Sequence, residues 1–396
     1  MKTIEHGRRA PAGVAAAAAF EQGRSLGRFG AGVAAFERAR TLLAAAAAFV
    51  SLFALAAPAL AHSVGSGATA QVVGVAFVGR SVSDLDKSVA FYKALGFTQD
   101  MQANPAWRKD EITEAIYGIK GAKGVETRMA KMAINSNQSG QVFNVYLREF
   151  RGLPRKKLSG YDAWEPGATH FGLVVPDANK LWAELKANGL LKARSWGGEL
   201  IAPPGQTKKM LAYLTDPDGL DIEIIDQRPA TPAANGNPAR PAMTPGISHV
   251  GLIILDSDKA RGFYENFMAA KLAGSPTPPW LQGDFYDSAI GAHGNILRFF
   301  NEGFPEARAP DKRLNLELVE FQNRKKPVQD YHPYDIATQY VGFEVANLDA
   351  FLAQAKAAGA KAVTDGVATM RSGTRVAIIR DPDVGGFVEV YESPRK

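Results

Sequence analysis

No cysteine occurs among the 396 residues. That excludes disulfides, cysteine-ligated zinc, iron–sulfur clusters and a thiol nucleophile. Histidine is scarce, at six residues, so imidazole chemistry has few candidates. Charge of one sign is also scarce once it is located. The formal net charge is +6, but residues 1–61 hold seven Lys/Arg against three Glu. That segment carries +4 of the total and leaves +2 for the rest. A body so near neutrality gives no electrostatic footing for nucleic acid. The remainder is globular in composition, 46% apolar and 22% charged, and long enough for two or three domains.

Residues 1–61 read as an N-terminal extension that ends in a secretory signal. Leu42 to Ala61 is uncharged and rich in Ala, Leu and Phe, and follows Arg38 and Arg40. It closes on Ala59-Leu60-Ala61, a small-x-small cleavage site, before the chain turns polar at His62. The expectation is a periplasmic or secreted protein starting near His62, with no stable membrane insertion after cleavage. An uncleaved anchor is the alternative, since the run could just span a bilayer.

The body repeats itself. The segment Phe77–Tyr92 aligns without gaps with His249–Tyr264, and His170-Phe171-Gly172 with Tyr340-Val341-Gly342. Two Asp-Pro-Asp turns, at Asp216 and Asp381, each precede a strand carrying a Glu, Glu223 and Glu389. Four modules follow in the order A, B, A′, B′. Each begins with an alternating β-rich run. An Asp then caps a helix (Asp84 or Asp86 in A, Asp177 in B) and a Gly stops it (Gly96, Gly189, Gly359), and three more strands follow. The expected fold class is α+β: four βαβββ modules paired into two cupped, partly closed barrels. Residues 72–226 form the first half (A, B) and 246–392 the second (A′, B′). Residues 227–245, rich in Pro and Ala, read as an extended surface linker. The repeat-equivalent basic loops at Arg155 and Arg324 are expected to be solvated.

These motifs, His249-Val250-Gly251 with Asp256 and Tyr264, His170-Phe171-Gly172, and the two Asp-Pro-Asp turns with their Glu, resemble the vicinal oxygen chelate superfamily. It includes glyoxalase I, extradiol dioxygenases and the bleomycin-resistance proteins. The resemblance implies ligand positions on the first and last strand of each module. They fall on Phe77 and Tyr146 in A, His170 and Glu223 in B, His249 and Glu317 in A′, and Tyr340 and Glu389 in B′. Glu320 faces the other way from Glu317 unless a bulge intervenes. With six histidines in the chain, two at four equivalent positions exceeds what composition predicts.

If B pairs with A′, the set His170, Glu223, His249 and Glu317 is complete. It suits a divalent Zn, Ni, Co, Mn or Fe ion. If neighbours pair, neither set is complete, and His249, Glu317 and Glu389 are left as three ligands beside Tyr340. The complete set implies a metal-dependent lyase or isomerase of the glyoxalase type. It would act on a small substrate through two chelated oxygens, and the resemblance to glyoxalase I implies that Glu223 doubles as base. Arg128, Arg298 and His293 are candidate substrate contacts. The alternatives are a metal-free small-molecule binder, for which Phe77, Tyr146 and Tyr340 would form an aromatic cup, and an extradiol-type dioxygenase. A fused four-module chain can complete its own sites, so a monomer is the simplest assembly.

Overall fold

The computed structural model describes residues 72–100, 106–109, 111–119, 124–136, 142–157, 162–230, 242–268, 271–273, 275–303 and 314–394. The expected secretory signal lies outside the described residues.

Module A comprises β1 (Val72–Ser81), α1 (Leu85–Ala94), β2 (Thr98–Gln99), α2 (Glu111–Ile116), β3 (Glu126–Asn135) and β4 (Val142–Arg151). Module B comprises β5 (Thr169–Val175), α3 (Ala178–Ala187), β6 (Leu211–Thr215) and β7 (Asp221–Asp226). Module A′ runs from β8 (Gly246–Ile254) and α4 (Ser257–Arg261) through β9 (Lys271–Ala273), β10 (Leu281–Gln282) and α5 (Asp284–Ile290) to β11 (Ile296–Gly303) and β12 (Asn315–Phe321). Module B′ holds β13 (Thr338–Val345), α6 (Leu348–Ala357), β14 (Lys361–Ala362), β15 (Ala368–Thr369), β16 (Arg375–Arg380) and β17 (Phe387–Glu392).

The helix starts follow the repeat. Asp84, Asp177, Asp256 and Asn347 each accept a hydrogen bond from a backbone N–H of the first turn. Asp86 does not cap but pairs with Arg128. Gly96, Gly189 and Gly359 close their helices at positive φ. In A′, Gly262 stands where A has Ala90, and the helix widens into a π-turn over Gly262–Phe267.

The three-strand expectation fails in module B. Between α3 and β6 only the isolated bridges Ala193–Leu214 and Ile201–Leu211 form. Pro203 and Pro204 cannot donate to a ladder there. Modules A and A′ add α2 and α5, which sequence periodicity did not signal.

The sheets join modules from opposite halves. One sheet runs β14-β16-β17-β13-β1-β4-β3-β2, with β15 on β16, so it joins B′ to A. The other runs β10-β11-β12-β8-β5-β7-β6, with β9 on β11, and joins A′ to B. The seams are the antiparallel pairs β1·β13 and β5·β8. Alternate residues of each strand enter two cores. One lies under the helices and includes Leu85, Phe91, Trp182, Leu348 and Phe351, while the other fills the cups.

The linker differs from an extended strap at its described ends. Arg228 and Met243 form an antiparallel bridge, so the chain leaves β7 and re-enters at β8 from nearly one place. Joining B to A′ therefore needs no slack.

The Arg155 loop is exposed at Lys156 and Lys157, as expected, but Arg155 itself is held. Arg155 donates to the carbonyls of Tyr334, Phe150 and Val82 and ties A to B′. Lys326 pairs with Asp162 and Glu165.

Candidate metal centre

Each cup interior is built from one short pattern, a ring followed two residues later by glycine. Residues i and i+2 share a strand face. In the antiparallel seam β5·β8, His170 lies opposite Gly251 and Gly172 opposite His249. On the outer sides the pairing is parallel, and Glu317 lies beside Gly251 and Glu223 beside Gly172. Each glycine is thus a gap between an imidazole on one side and a carboxylate on the other. Across it the side chains meet. His170 Nε2 is 3.5 Å from Glu317 Oε2, and His249 Nε2 is 3.3 Å from Glu223 Oε2. His170 and His249 lie inside their strands rather than at the first position, because the seam extends those ladders, and Glu223 and Glu317 lie mid-strand.

The four groups converge. The two histidine Nε2 atoms are 3.2 Å apart, and Glu317 Oε2 is also 3.8 Å from His249 Nε2. Ligand atoms of His170, Glu223 and His249 lie within 4.8 Å of one another, and all three residues are buried. Ser248 Oγ donates to the Gly172 carbonyl and lies 2.9 Å from His249 Nδ1. Its oxygen can therefore accept a hydrogen bond from Nδ1–H and leave the Nε2 lone pair facing the cluster. Burial opposes the charged imidazolium of His249, but Glu317 and Glu223 outweigh it and hold the ring more basic than usual. Burial likewise opposes ionisation of Glu317, and His249 followed by His170 reverses that, lowering its pKa.

The residues fit a divalent ion. Two imidazoles and two carboxylates form a borderline-hard donor set. Glu223 Oε1 is buried with no hydrogen-bond partner among the described residues, a costly state for a carboxylate unless something else meets it.

A mainly apolar pocket opens on His170. Tyr213, Tyr286, Leu297, Phe299, Val319 and Phe321 wall it. Sequence reasoning missed these residues. Tyr213 had a signal, because the hairpin through Asp216-Pro217-Asp218-Gly219 sets it opposite Glu223. Its ring meets His170 edge-on at 5.4 Å. Burial pushes its phenol well above the ordinary value, and Glu223 and Glu317 add to this.

The proposed substrate contacts lie elsewhere. Arg298 is opposite Glu320 in register and bonded to it, while Glu317 is three residues away on the other face. Arg298 also donates to Ser257 at the start of α4. Arg128 does the same with Glu149 and Asp86. Both arginines therefore sit on the helix-bearing face, away from the cup. His293 is exposed and packs on Trp196 at 3.7 Å between ring centroids.

The other cup has the same frame with different residues. Phe77 faces Gly342, Tyr340 faces Gly79, and Tyr146 and Glu389 flank those glycines. Tyr340 and Tyr117 share a hydroxyl–hydroxyl hydrogen bond of 2.5 Å, and Phe77 packs on Tyr146 at 4.9 Å. Arg148, where A′ has Val319, lies over Tyr117. Burial pushes Glu389 up to about 7, with Arg148 opposing. One carboxyl among phenols and a phenyl ring is a poor ligand set.

The family model described as Glyoxalase/Bleomycin resistance protein/Dioxygenase superfamily matches residues 74–224 and 246–384. No curated protein matches the chain in sequence. A glyoxalase I mutant from Zea mays is similar in structure, with a TM-score of 0.49 and 19% identity. That match covers 81% of this chain and 92% of the maize chain. The 2,2',3-trihydroxybiphenyl 1,2-dioxygenase of Sphingomonas wittichii is similar with a TM-score of 0.23 and 14% identity, covering 82% of this chain and 91% of that one.

Proposed function

Because the chain belongs to the glyoxalase/bleomycin resistance protein/dioxygenase superfamily, we propose that it is a metal-dependent lyase or isomerase acting on a small, largely apolar substrate with two adjacent oxygens. The observation that carries this reading is the meeting of His170, Glu223, His249 and Glu317 beside an apolar pocket. These four residues would hold the ion. Once bound, it would supply Lewis acidity to the two substrate oxygens and stabilise negative charge developing on them.

The chain's own groups do the rest. Glu223 has a buried oxygen with no partner among the described residues. It takes a proton from the hydroxyl-bearing carbon and delivers it to the neighbouring carbonyl carbon, while the hydroxyl proton passes from the first oxygen to the second. No electrons are gained or lost overall. Glu317, held ionised between two imidazoles, stays a ligand. The aromatic and aliphatic walls orient the substrate's apolar part and exclude water.

Elemental analysis of protein purified without chelators tests this. About one divalent ion per chain is expected. His170→Ala and His249→Ala should each lower metal content at least tenfold, although they come from different halves of the chain, and Tyr340→Ala should not. Glu223→Gln should cost about 100-fold or more in turnover of an α-oxygenated carbonyl substrate. Unchanged metal content in both histidine variants would sink the reading.

One observation favours a second reading. His170, His249 and Glu223 also make a two-histidine, one-carboxylate set. Iron in the purified protein, with oxygen uptake on catechols, would select an extradiol-type dioxygenase.

Export is part of the proposal, and rests on the Leu42–Ala61 run and its small-residue end. Sequencing the mature N-terminus from the native host should find it near His62, whereas a retained Leu42–Ala61 run would indicate an anchor.

A further inference from the structure

Asp216 and Asp381 are repeat equivalents, both buried, and each folds its turn in the same way. Asp216 Oδ1 accepts from the N–H groups of Asp218, Gly219 and Leu220. Asp381 Oδ1 accepts from those of Asp383 and Val384. Each turn then docks on the preceding module of its own half. Asp218 Oδ2 accepts from Ser83 N, and Asp383 Oδ2 from Leu255 N and Asp256 N.

The symmetry breaks at the second carboxylate oxygen. On the Asp216 side Arg80, wholly buried, places Nη1 3.1 Å from Asp216 Oδ2 and 2.6 Å from the Tyr92 hydroxyl. Its Nη2 donates to the Asp221 carbonyl. On the Asp381 side the repeat equivalent of Tyr92 is Tyr264, and that of Arg80 is Leu252. No side-chain cation meets Asp381 Oδ2 among the described residues. Tyr264 is 2% exposed, and its hydroxyl makes no hydrogen bond among the described residues. Asp381, Tyr264, Thr169 and Leu252 instead line a small, partly closed cavity with room for about one water-sized occupant. Burial pushes the Asp381 carboxyl up to about 6 and the Asp383 carboxylate adds to this, partly offset by the N–H groups of Val384, Asp383 and Gly386. That is the mark of a carboxylate short of a counter-charge.

We propose that this cavity binds one small monovalent cation (sodium, potassium or ammonium) between the Asp381 carboxylate and the Tyr264 hydroxyl, in the seat that Arg80 fills on the opposite side. The charge count selects a monovalent ion. Asp381 is the one carboxylate lining the cavity, since Asp383 is committed to two backbone N–H groups. A divalent ion would leave a buried positive charge uncompensated. Its function would be to tie B′ to A′ as Arg80 ties B to A.

Thermal unfolding of the full chain, with its divalent site kept saturated, tests the proposal. Midpoints are compared in sodium, potassium, ammonium and N-methylglucamine chlorides at equal ionic strength. A rise of about 2–4 °C per tenfold increase in the favoured small cation is expected, and none with N-methylglucamine. Asp381→Asn keeps the Oδ1 acceptor of the turn and should lose the cation response. Leu252→Arg supplies an internal cation and should also lose it. Should Leu252→Arg misfold, a crystal soaked in rubidium or thallium decides directly, with an anomalous peak expected about 3 Å from Asp381 Oδ2. Equal midpoint shifts in the wild type and Asp381→Asn, or no anomalous peak in the cavity, would overturn the proposal.

Discussion

A Cβ on Gly251 would sit 1.9 Å from the His170 ring, and one on Gly172 would sit 2.2 Å from the His249 ring. Neither contact can be relieved by a small shift, because each ring is buried and faces its partner carboxylate. Neither glycine has positive φ, so the requirement is for space rather than for backbone freedom. Gly251→Ala should therefore displace His170 from Glu317 and weaken metal binding about 10–100-fold, the range seen when support for a ligand is lost. Gly262→Ala is the control, since a Cβ there meets nothing within 4 Å. Competition with a chromophoric chelator would measure both. Equal affinities in the two variants would mean that the glycine gap does not set the ligand geometry.

At the scale of elements, what could be read from sequence was what the four copies state together. The strand–helix beginnings, their Asp caps and their Gly stops recur, so an error in one module is corrected by the others. The site was legible to the extent that it follows from the ring-x-glycine repeat, as with His170 facing Gly251 and Glu317 beside it. Two things were hidden for physical reasons. The pocket walls come partly from α5, a helix of seven residues that supplies Tyr286. A and A′ share this helix (α2 and α5), but it lies outside the βαβββ pattern that all four modules repeat. The arginine positions depended on register. Arg298 pairs with Glu320 because of how β11 meets β12, and the connection 304–313 carries no short turn signature from which that register could be counted. Had the register been known, parity alone would have sent Arg298 to the face opposite Glu317.

For the whole molecule, the linker divides the sequence but not the sheets. Each sheet takes one module from each half, so both seams, β1·β13 and β5·β8, are contacts between halves. Side chains cross as well. Thr364 Oγ1 donates to the Ile116 carbonyl, Ser81 Oγ to the Pro333 carbonyl, and Arg155 to the Tyr334 carbonyl. The metal ligands split the same way, with His170 and Glu223 in one half and His249 and Glu317 in the other. A protease site placed within residues 231–241 should therefore give two fragments that stay together. Cutting there removes only the entropic advantage of a tether whose ends, Arg228 and Met243, are already bridged. The nicked protein should elute as one species in size-exclusion chromatography and keep its bound metal. Its unfolding midpoint should become concentration-dependent, because unfolding now releases two chains. Fragments that part in native buffer, each still folded, would mean that each half closes its own barrel, and the shared metal centre would fall with the shared sheets.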